Sequence, residues 1–285
     1  MDVHEQKNKV TTFFDESKEW RGTVYDADNS YFGRVIIRRK AYAFEMIRKI
    51  PDLKIGHALD VGFGSGVYIE ELLKMGFECS GVDLSREMVD ACEKRMKTEL
   101  DAGRLHLGPG EVEHLPFKDN MFDLVICIGV LGYLLRDEKA LAELKRVVKP
   151  GGYLLLNLTN MYPLSDLDYL LRRKIKGWFF PKSIPVPDVE NPPYAMQSDY
   201  VLKARKFHFK SYNLWKYEKL VQDGKFVKVD SMTYGFEFRL LRKIGIPGSM
   251  VDRLELFCES LFRKIHIPYL SYSGWVYTAV FRRTN

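Results

Sequence analysis

From about residue 54 to 160 the apolar and polar positions switch between two periods. Short apolar runs read as strands, and the stretches between them carry apolar residues three and four apart, which read as helices. Strands are expected at Ala58–Val61, Glu78–Val82, Arg104–Leu107, Phe122–Ile128 and Tyr153–Leu158. Helices are expected at Gly66–Met75, with Val67, Ile69, Leu72 and Leu73 apolar, at Arg86–Glu99 and at Glu138–Val148. Ser85 and Asp137 stand where N-caps belong, and Pro150-Gly151-Gly152 is expected to stop the last helix. Strands alternating with helices in this way predict a parallel sheet with crossover helices. A further helix, Gly33–Ile50, precedes it.

The alternation breaks after Thr159. Residues 161–208 are rich in proline and aromatics, including Phe179-Phe180-Pro181 and Pro192-Pro193-Tyr194, and read as an insertion that caps the domain. A helix over Tyr212–Gln222 and a strand over Lys225–Val229 resume the core. Residues 248–265 place Met250, Val251, Leu254, Leu256, Phe257, Leu261 and Phe262 on an amphipathic helix, expected to join the cap. A last strand is expected at Trp275–Phe281. The expected organisation is therefore an N-terminal helical segment (1–50), a core (51–160), a cap insertion (161–208), more core (209–232), a second cap element (233–272) and a final strand (273–285).

Composition narrows this little. A length of 285 residues suits one elaborated domain, and 46% hydrophobic residues suffice for one core. A net charge of +6 is mild, and its densest basic runs, Arg34–Lys40 and Arg172–Lys176, read as solvated helix faces rather than a nucleic-acid stripe. The cysteines, Cys79, Cys92, Cys127 and Cys258, form no CxxC pair, and no histidines share metal-ligand spacing, so neither a zinc site nor a disulfide framework is expected. A reduced, cytoplasmic setting fits. The N-terminus lacks a signal peptide's apolar region. The longest apolar run, Leu124–Leu135, falls short of the ~20 residues that span a bilayer.

The chemistry gathers at the end of the first strand, in Asp60-Val61-Gly62-Phe63-Gly64-Ser65-Gly66. Glycines allow a tight turn and close backbone approach, and the helix behind them offers free N–H groups to a ligand. A dinucleotide loop would read GxGxxG, but position 67 is valine. Asp60 also suits a ligand positively charged at this loop better than a pyrophosphate. Asp83 closes the second strand, where a carboxylate can accept both hydroxyls of a ribose.

With Gly110-Glu111-Val112-Glu113-His114-Leu115-Pro116-Phe117 and Phe122-Asp123, these residues complete a pattern that resembles the class I S-adenosylmethionine-dependent methyltransferases, small-molecule and quinone-type members above all. The resemblance covers roughly residues 54–160. It implies a Rossmann-like α/β fold, a seven-stranded, mostly parallel sheet with helices on both faces, under an N-terminal helical lid and an inserted cap. It implies S-adenosyl-L-methionine as cofactor and no metal. By position, Gly62, Gly64 and Gly66 match the cofactor loop, Asp60 the acid facing the methionine amine, and Asp83 the ribose clamp. Leu84 and Met88 match positions near the adenine, and Glu111, with Val112 beside it, stands where relatives often bond the adenine amino group. Ile128 matches the residue whose backbone meets the methionine part.

The resemblance departs after the fourth strand. Relatives often carry a histidine there, and this chain reads Leu131-Gly132-Tyr133. Tyr133 either orients a substrate hydroxyl or packs structurally. Phe13-Phe14-Asp15 through Trp20 to Tyr25-Asp26 resembles a family segment that folds over the cofactor. Tyr25 then touches the sulfonium side or the substrate, or else serves as an aromatic anchor. His208 sits where the insertion rejoins the core and is a candidate to face the substrate. Asn191-Pro192-Pro193-Tyr194 matches an amino-methyltransferase tetrapeptide but lies in the cap, far from the fourth strand.

The aromatic cap points to a bulky, partly apolar acceptor, methylated on O, N or C by in-line displacement. Alternatives are a lipid-like acceptor at a membrane surface, with 172–180 as a peripheral contact, a cofactor-binding subunit without activity, a nicotinamide-dependent dehydrogenase, and a methyltransferase for proteins or nucleic acids. No nucleic-acid partner is expected.

Overall fold

The computed structural model describes residues 2–17, 31–160, 207, 209–236, 238, 241, 245–264 and 272–284. In chain order the elements are α1 (Val3–Glu16), α2 (Tyr31–Arg48), β1 (His57–Val61), α3 (Val67–Lys74), β2 (Glu78–Asp83), α4 (Arg86–Arg95), α5 (Lys97–Asp101), β3 (Leu105–Pro109), β4 (Phe122–Ile128), α6 (Glu138–Val147), β5 (Val148–Thr159), α7 (Leu214–Val221), β6 (Phe226–Tyr234), α8 (Gly248–Lys264) and β7 (Val276–Arg283).

The strands form one seven-stranded sheet in the order β3-β2-β1-β4-β5-β7-β6. β1 to β5 run parallel, and β7 enters antiparallel between β5 and β6. The order reverses between β1 and β4, and the carboxyl ends of the strands at such a switch point form the crevice where α/β sheets bind ligands. The two faces follow from the period of two along each strand. Ala58, Leu124 and Ile126 pack with Val35, Phe44 and Ile47 of α2 and with Ile69 and Leu72 of α3. Leu59, Val61, Val125 and Cys127 pack on the other side with Leu141 and Leu144 of α6 and Val221 of α7. Asp60 shares the parity of Ala58 and is therefore a carboxylate on an otherwise apolar, helix-covered face.

Several boundaries differ from the expectations. The helix expected over Arg86–Glu99 breaks at Met96 (φ −104°, ψ 28°) into α4 and α5. Ser85 caps α4, accepting the Met88 N–H at 3.2 Å. Asp137 makes no side-chain cap to α6; its carboxylate binds Lys210 Nζ at 2.9 Å instead. α6 ends at Val147 and β5 starts at once, with Val148 opposite Phe122 and a register shift before Leu124, so Pro150-Gly151-Gly152 lies inside the strand rather than after the helix. α7 starts two residues later than expected because Asn213 caps it. β6 continues five residues past Val229, through a register shift between Lys228 and Asp230.

The cap insertion 161–208 lies outside the described residues except Phe207, and so do Tyr25 and His208. Its two roots are adjacent. Asn160, at the exit of β5, donates to Gly274 O at 2.9 Å, and the Tyr212 N–H returns to Thr159 O at 2.8 Å. Both roots lie at the carboxyl edge of the sheet. No described helix is long and apolar enough to cross a membrane.

Candidate cofactor and acceptor site

β1 ends in Val61 and the chain turns through Gly62, Gly64 and Gly66, with φ of +74°, +52° and +71°. These left-handed conformations favour glycine at each position. The turn is pinned at both ends: Gly62 N–H donates to Val82 O at 2.7 Å, and Gly66 N–H to Phe63 O at 2.8 Å. A Cβ at Gly62 would sit 2.2 Å from Val130, and one at Gly66 would meet Met96, Cys92 and Arg95 of the helices beneath. Arg95 also donates to Ser65 O and to Glu70 Oε1, holding the underside of the loop. Gly64 differs, since nothing lies within 4 Å of where its Cβ would be. It is the part of the loop that faces open space.

Two carboxylates flank the loop. Asp60 is 2% exposed, and its Oδ2 has no hydrogen-bond partner. Burial, and then the charge of Asp83, push its carboxyl well above the ordinary range. Asp83, at the end of β2, accepts Gly64 N–H at 2.7 Å and Ser85 N–H at 2.9 Å. Burial raises it too, against the pull of those N–H groups, and nearby Asp15 adds to the rise. Two neighbouring carboxylates, Asp60 buried with an unmatched oxygen and Asp83 partly buried, form a site short of positive charge and of donors. A cofactor carrying an ammonium, a sulfonium and a ribose diol supplies both, so S-adenosylmethionine matches the residues present. Leu84 is half-buried beside Asp83 and Met88 is fully buried on α4. Val112 is buried after β3, and Ile128 ends β4 at 7% exposure.

α1 lies across the carboxyl ends of three strands. Beyond β2, Ser85 Oγ donates to Asp15 at 2.5 Å. Beyond β3, Lys7 Nζ lies 2.7 Å from Glu111 and 2.6 Å from Glu113. Beyond β4, Gln6 Nε2 donates to Tyr133 O at 2.7 Å. Glu111, matched by sequence to an adenine contact, is thus engaged by α1 in this structure. Tyr133 lies in a short 3-10 turn (Leu131–Tyr133), its ring set edge-on to Phe14, Phe207 and Phe209 with centroids 5.0–5.6 Å apart. That cluster seats α1 and gives Tyr133 a packing role. Behind the same turn, the Arg39 guanidinium of α2 reaches Gly129, 2.9 Å from where a Cβ would be.

Sequence reading missed Gln6, Lys7 and Asp15 as ties to the strand ends, and Cys92 and Arg95 as supports of the loop. The closely spaced acids Glu111 and Glu113 were the one local hint of a cation nearby. Among the described residues no cluster of His, Cys, Asp and Glu could hold a metal ion.

Residues 59–156 match the profile of the methyltransferase-domain family. The chain is 34% identical over 137 residues to a demethylmenaquinone methyltransferase of Lactiplantibacillus plantarum, a match covering 46% of this chain and 54% of that protein. It is 28% identical over 144 residues to a ubiquinone/menaquinone biosynthesis C-methyltransferase of Geotalea daltonii, covering 49% and 59%. The chain thus spans about half the length of the curated relatives it matches. Its fold is similar to that of a putative sarcosine dimethylglycine methyltransferase of Galdieria sulphuraria, with a TM-score of 0.56, 14% identity and 98% of both chains covered.

Proposed function

We propose that this class I S-adenosylmethionine-dependent methyltransferase core passes a methyl group to a small, bulky and partly apolar acceptor. The observation that carries the reading is Asp60, a buried carboxylate with an unmatched oxygen at the head of a loop whose Gly64 faces open space. S-adenosylmethionine, the cofactor, supplies when bound a methyl group on a cationic sulfur that is open to in-line displacement.

The chain's own residues then bind, orient and exclude water. Asp60 accepts the ammonium, and Gly62, Gly64 and Gly66 let the backbone approach it closely. Asp83 keeps acceptor capacity for the ribose hydroxyls beyond the two backbone N–H bonds it already holds. Leu84, Met88 and Val112 wall the adenine side, with Glu111 at its rim, and the backbone at Ile128 meets the methionine part. α1 covers these groups, and water excluded beneath it strengthens the charge interactions at Asp60. The roots of the cap at Thr159 and Tyr212 meet at the same edge, and the sequence between them carries Trp178, Phe179 and Tyr194 as candidate apolar contacts for the acceptor. Tyr25 and His208 are proposed to orient the acceptor, and Tyr133, packed among Phe14, Phe207 and Phe209, to seat α1 beside the site.

Similarity to a demethylmenaquinone methyltransferase and to a ubiquinone/menaquinone biosynthesis C-methyltransferase makes a hydroquinone the first acceptor to try. The test is formation of S-adenosylhomocysteine from S-adenosylmethionine with a panel of acceptors. Tailed hydroquinones and other bulky acceptors should turn over faster than small polar phenols or amines. Turnover confined to small polar acceptors would overturn the acceptor class. Tight cofactor binding without turnover on any acceptor would leave a binding subunit.

A further inference from the structure

α8 is built the opposite way round from a helix meant to face water. Its three acids, Asp252, Glu255 and Glu259, recur at three- and four-residue spacing and so share one face. That face is turned inward onto α2. Asp252 lies 3.3 Å from Arg34, Glu255 3.6 Å from Arg38 and Glu259 3.0 Å from Arg38. Glu259 also accepts Tyr42 Oη–H at 2.5 Å and Gly235 N–H at 2.9 Å. Beside the acids, Val251 is fully buried and Phe262 packs edge-on against Phe236, centroids 5.2 Å apart. The outward face carries Met250, Leu254 and Phe257 at i, i+4 and i+7. Met250 and Phe257 are 58% and 60% exposed. Leu256 and Arg253 are exposed beside them.

We infer that this outward face of α8 is a docking surface for an anionic lipid bilayer. Glu255 and Glu259 are buried against α2 and the partly exposed Asp252 is paired with Arg34, so the stripe of Met250, Leu254 and Phe257 presents apolar residues beside the cation Arg253. That is the composition of a helix lying in a bilayer interface, where affinity comes from apolar burial plus attraction to anionic headgroups. The chain's net charge of +6 has the same sign. A second copy of the chain is a poorer occupant, because a two-fold contact through this stripe would bring both Arg253 side chains together. The bond from Gly235, just beyond β6, to Glu259 places α8 at the carboxyl edge of the sheet, the edge that carries the cofactor loop. The inference rests on α8 alone and holds whatever the acceptor proves to be.

The test is co-sedimentation of the full chain with vesicles of phosphatidylcholine alone and of phosphatidylcholine mixed with phosphatidylglycerol. The native chain should bind the anionic vesicles several-fold more tightly than the neutral ones, as expected of a basic residue held near the surface. Met250→Ser with Phe257→Ser should weaken that binding roughly tenfold or more by removing apolar burial. Arg253→Gln should weaken it a few-fold, on anionic vesicles only. All variants should keep native affinity for S-adenosylhomocysteine, which shows that they fold and separates this outcome from a failure of the transferase reading. As a second readout, the emission of Phe257→Trp should move to the blue on anionic vesicles. The proposal is overturned by a native chain that ignores anionic vesicles, or by a double variant that binds as well as the native chain. It is also overturned by a native dimer that the double variant abolishes without any vesicle binding.

Discussion

Replacing Asp60 by asparagine should move cofactor affinity and stability in opposite directions. Asp60 sits 2% exposed with an unmatched Oδ2, and both burial and Asp83 oppose its charge. Without cofactor this carboxylate is a cost to the fold, because an unsatisfied buried polar group costs about 1–3 kcal/mol. Asparagine removes the charge but brings its own amide to satisfy, so a gain near the lower end, about 1 kcal/mol, is expected. For a chain of this size that raises Tm by about 2–4 °C. With cofactor the sign reverses. A charge-assisted hydrogen bond to the ammonium contributes about 1.5–3 kcal/mol, so Asp60→Asn should weaken binding by about 10- to 150-fold. Calorimetric titration with S-adenosylmethionine and thermal scans of the free protein read the two effects separately. An analogue lacking the α-amino group should lose affinity for the native protein and almost none for the variant. The pH dependence follows from the same raised pKa. The free carboxyl holds its proton to higher pH than usual, so stability from the protonated form is present at low pH and lost as pH rises through the folded pKa. Binding a cation needs the carboxylate, so affinity should rise with pH across that range and proton release should accompany binding. A variant that binds within twofold of native, or native binding that does not change with pH, would refute the assignment of Asp60.

Gly64→Ala forces a side chain into φ +52° and fills the open part of the loop. It should cost about 1–2 kcal/mol of stability and weaken cofactor binding tenfold or more, as read by urea unfolding and calorimetry, and native affinity would show that the open space is not the ligand's. Lys7→Ala unties α1 from Glu111 and Glu113; this half-exposed cluster contributes at most ~1 kcal/mol, so S-adenosylhomocysteine should dissociate a few-fold faster in stopped flow with Tm nearly unchanged. Arg38→Ala leaves Glu255 and Glu259 buried without their counter-charge and should cost about 3–5 kcal/mol. Hydrogen exchange should then show α8 amides losing protection first, and adding Glu255→Gln and Glu259→Gln should restore part of the loss.

What sequence made legible was local. β1, β4 and β5 were readable because each carries a buried apolar run, and the glycine loop was readable because its chemistry falls within seven consecutive residues. What stayed hidden depended on partners far along the chain. Asp137 has the position of an N-cap, but Lys210 takes its carboxylate. The length of β6 was obscured by Asp230, a residue that looks like a strand end and instead marks a register shift. Amphipathicity identified α8 as a helix and assigned it to the cap, but did not say which face would be inside. Which face is inside is decided by Arg34, Arg38 and Tyr42, more than two hundred residues away. The lid contacts of Gln6, Lys7 and Asp15 were hidden for the same reason, since nothing within α1 says which strand ends it will meet.

The antiparallel entry of β7 between β5 and β6 has a consequence for the order in which the molecule assembles. Among the described strands β6 has no neighbour other than β7, so it is expected to join the sheet only once residues 276–283 arrive. Buried Asn157 of β5 meets Thr278 of β7 and Tyr234 of β6 in one hydrogen-bonded cluster, which ties the late pair to the earlier sheet. A growing chain is thus expected to complete its cofactor half first and to keep the edge of β5 exposed meanwhile, an interval in which that edge can pair with another chain. A chain cut before Val276 would forfeit two strands of the sheet together rather than one.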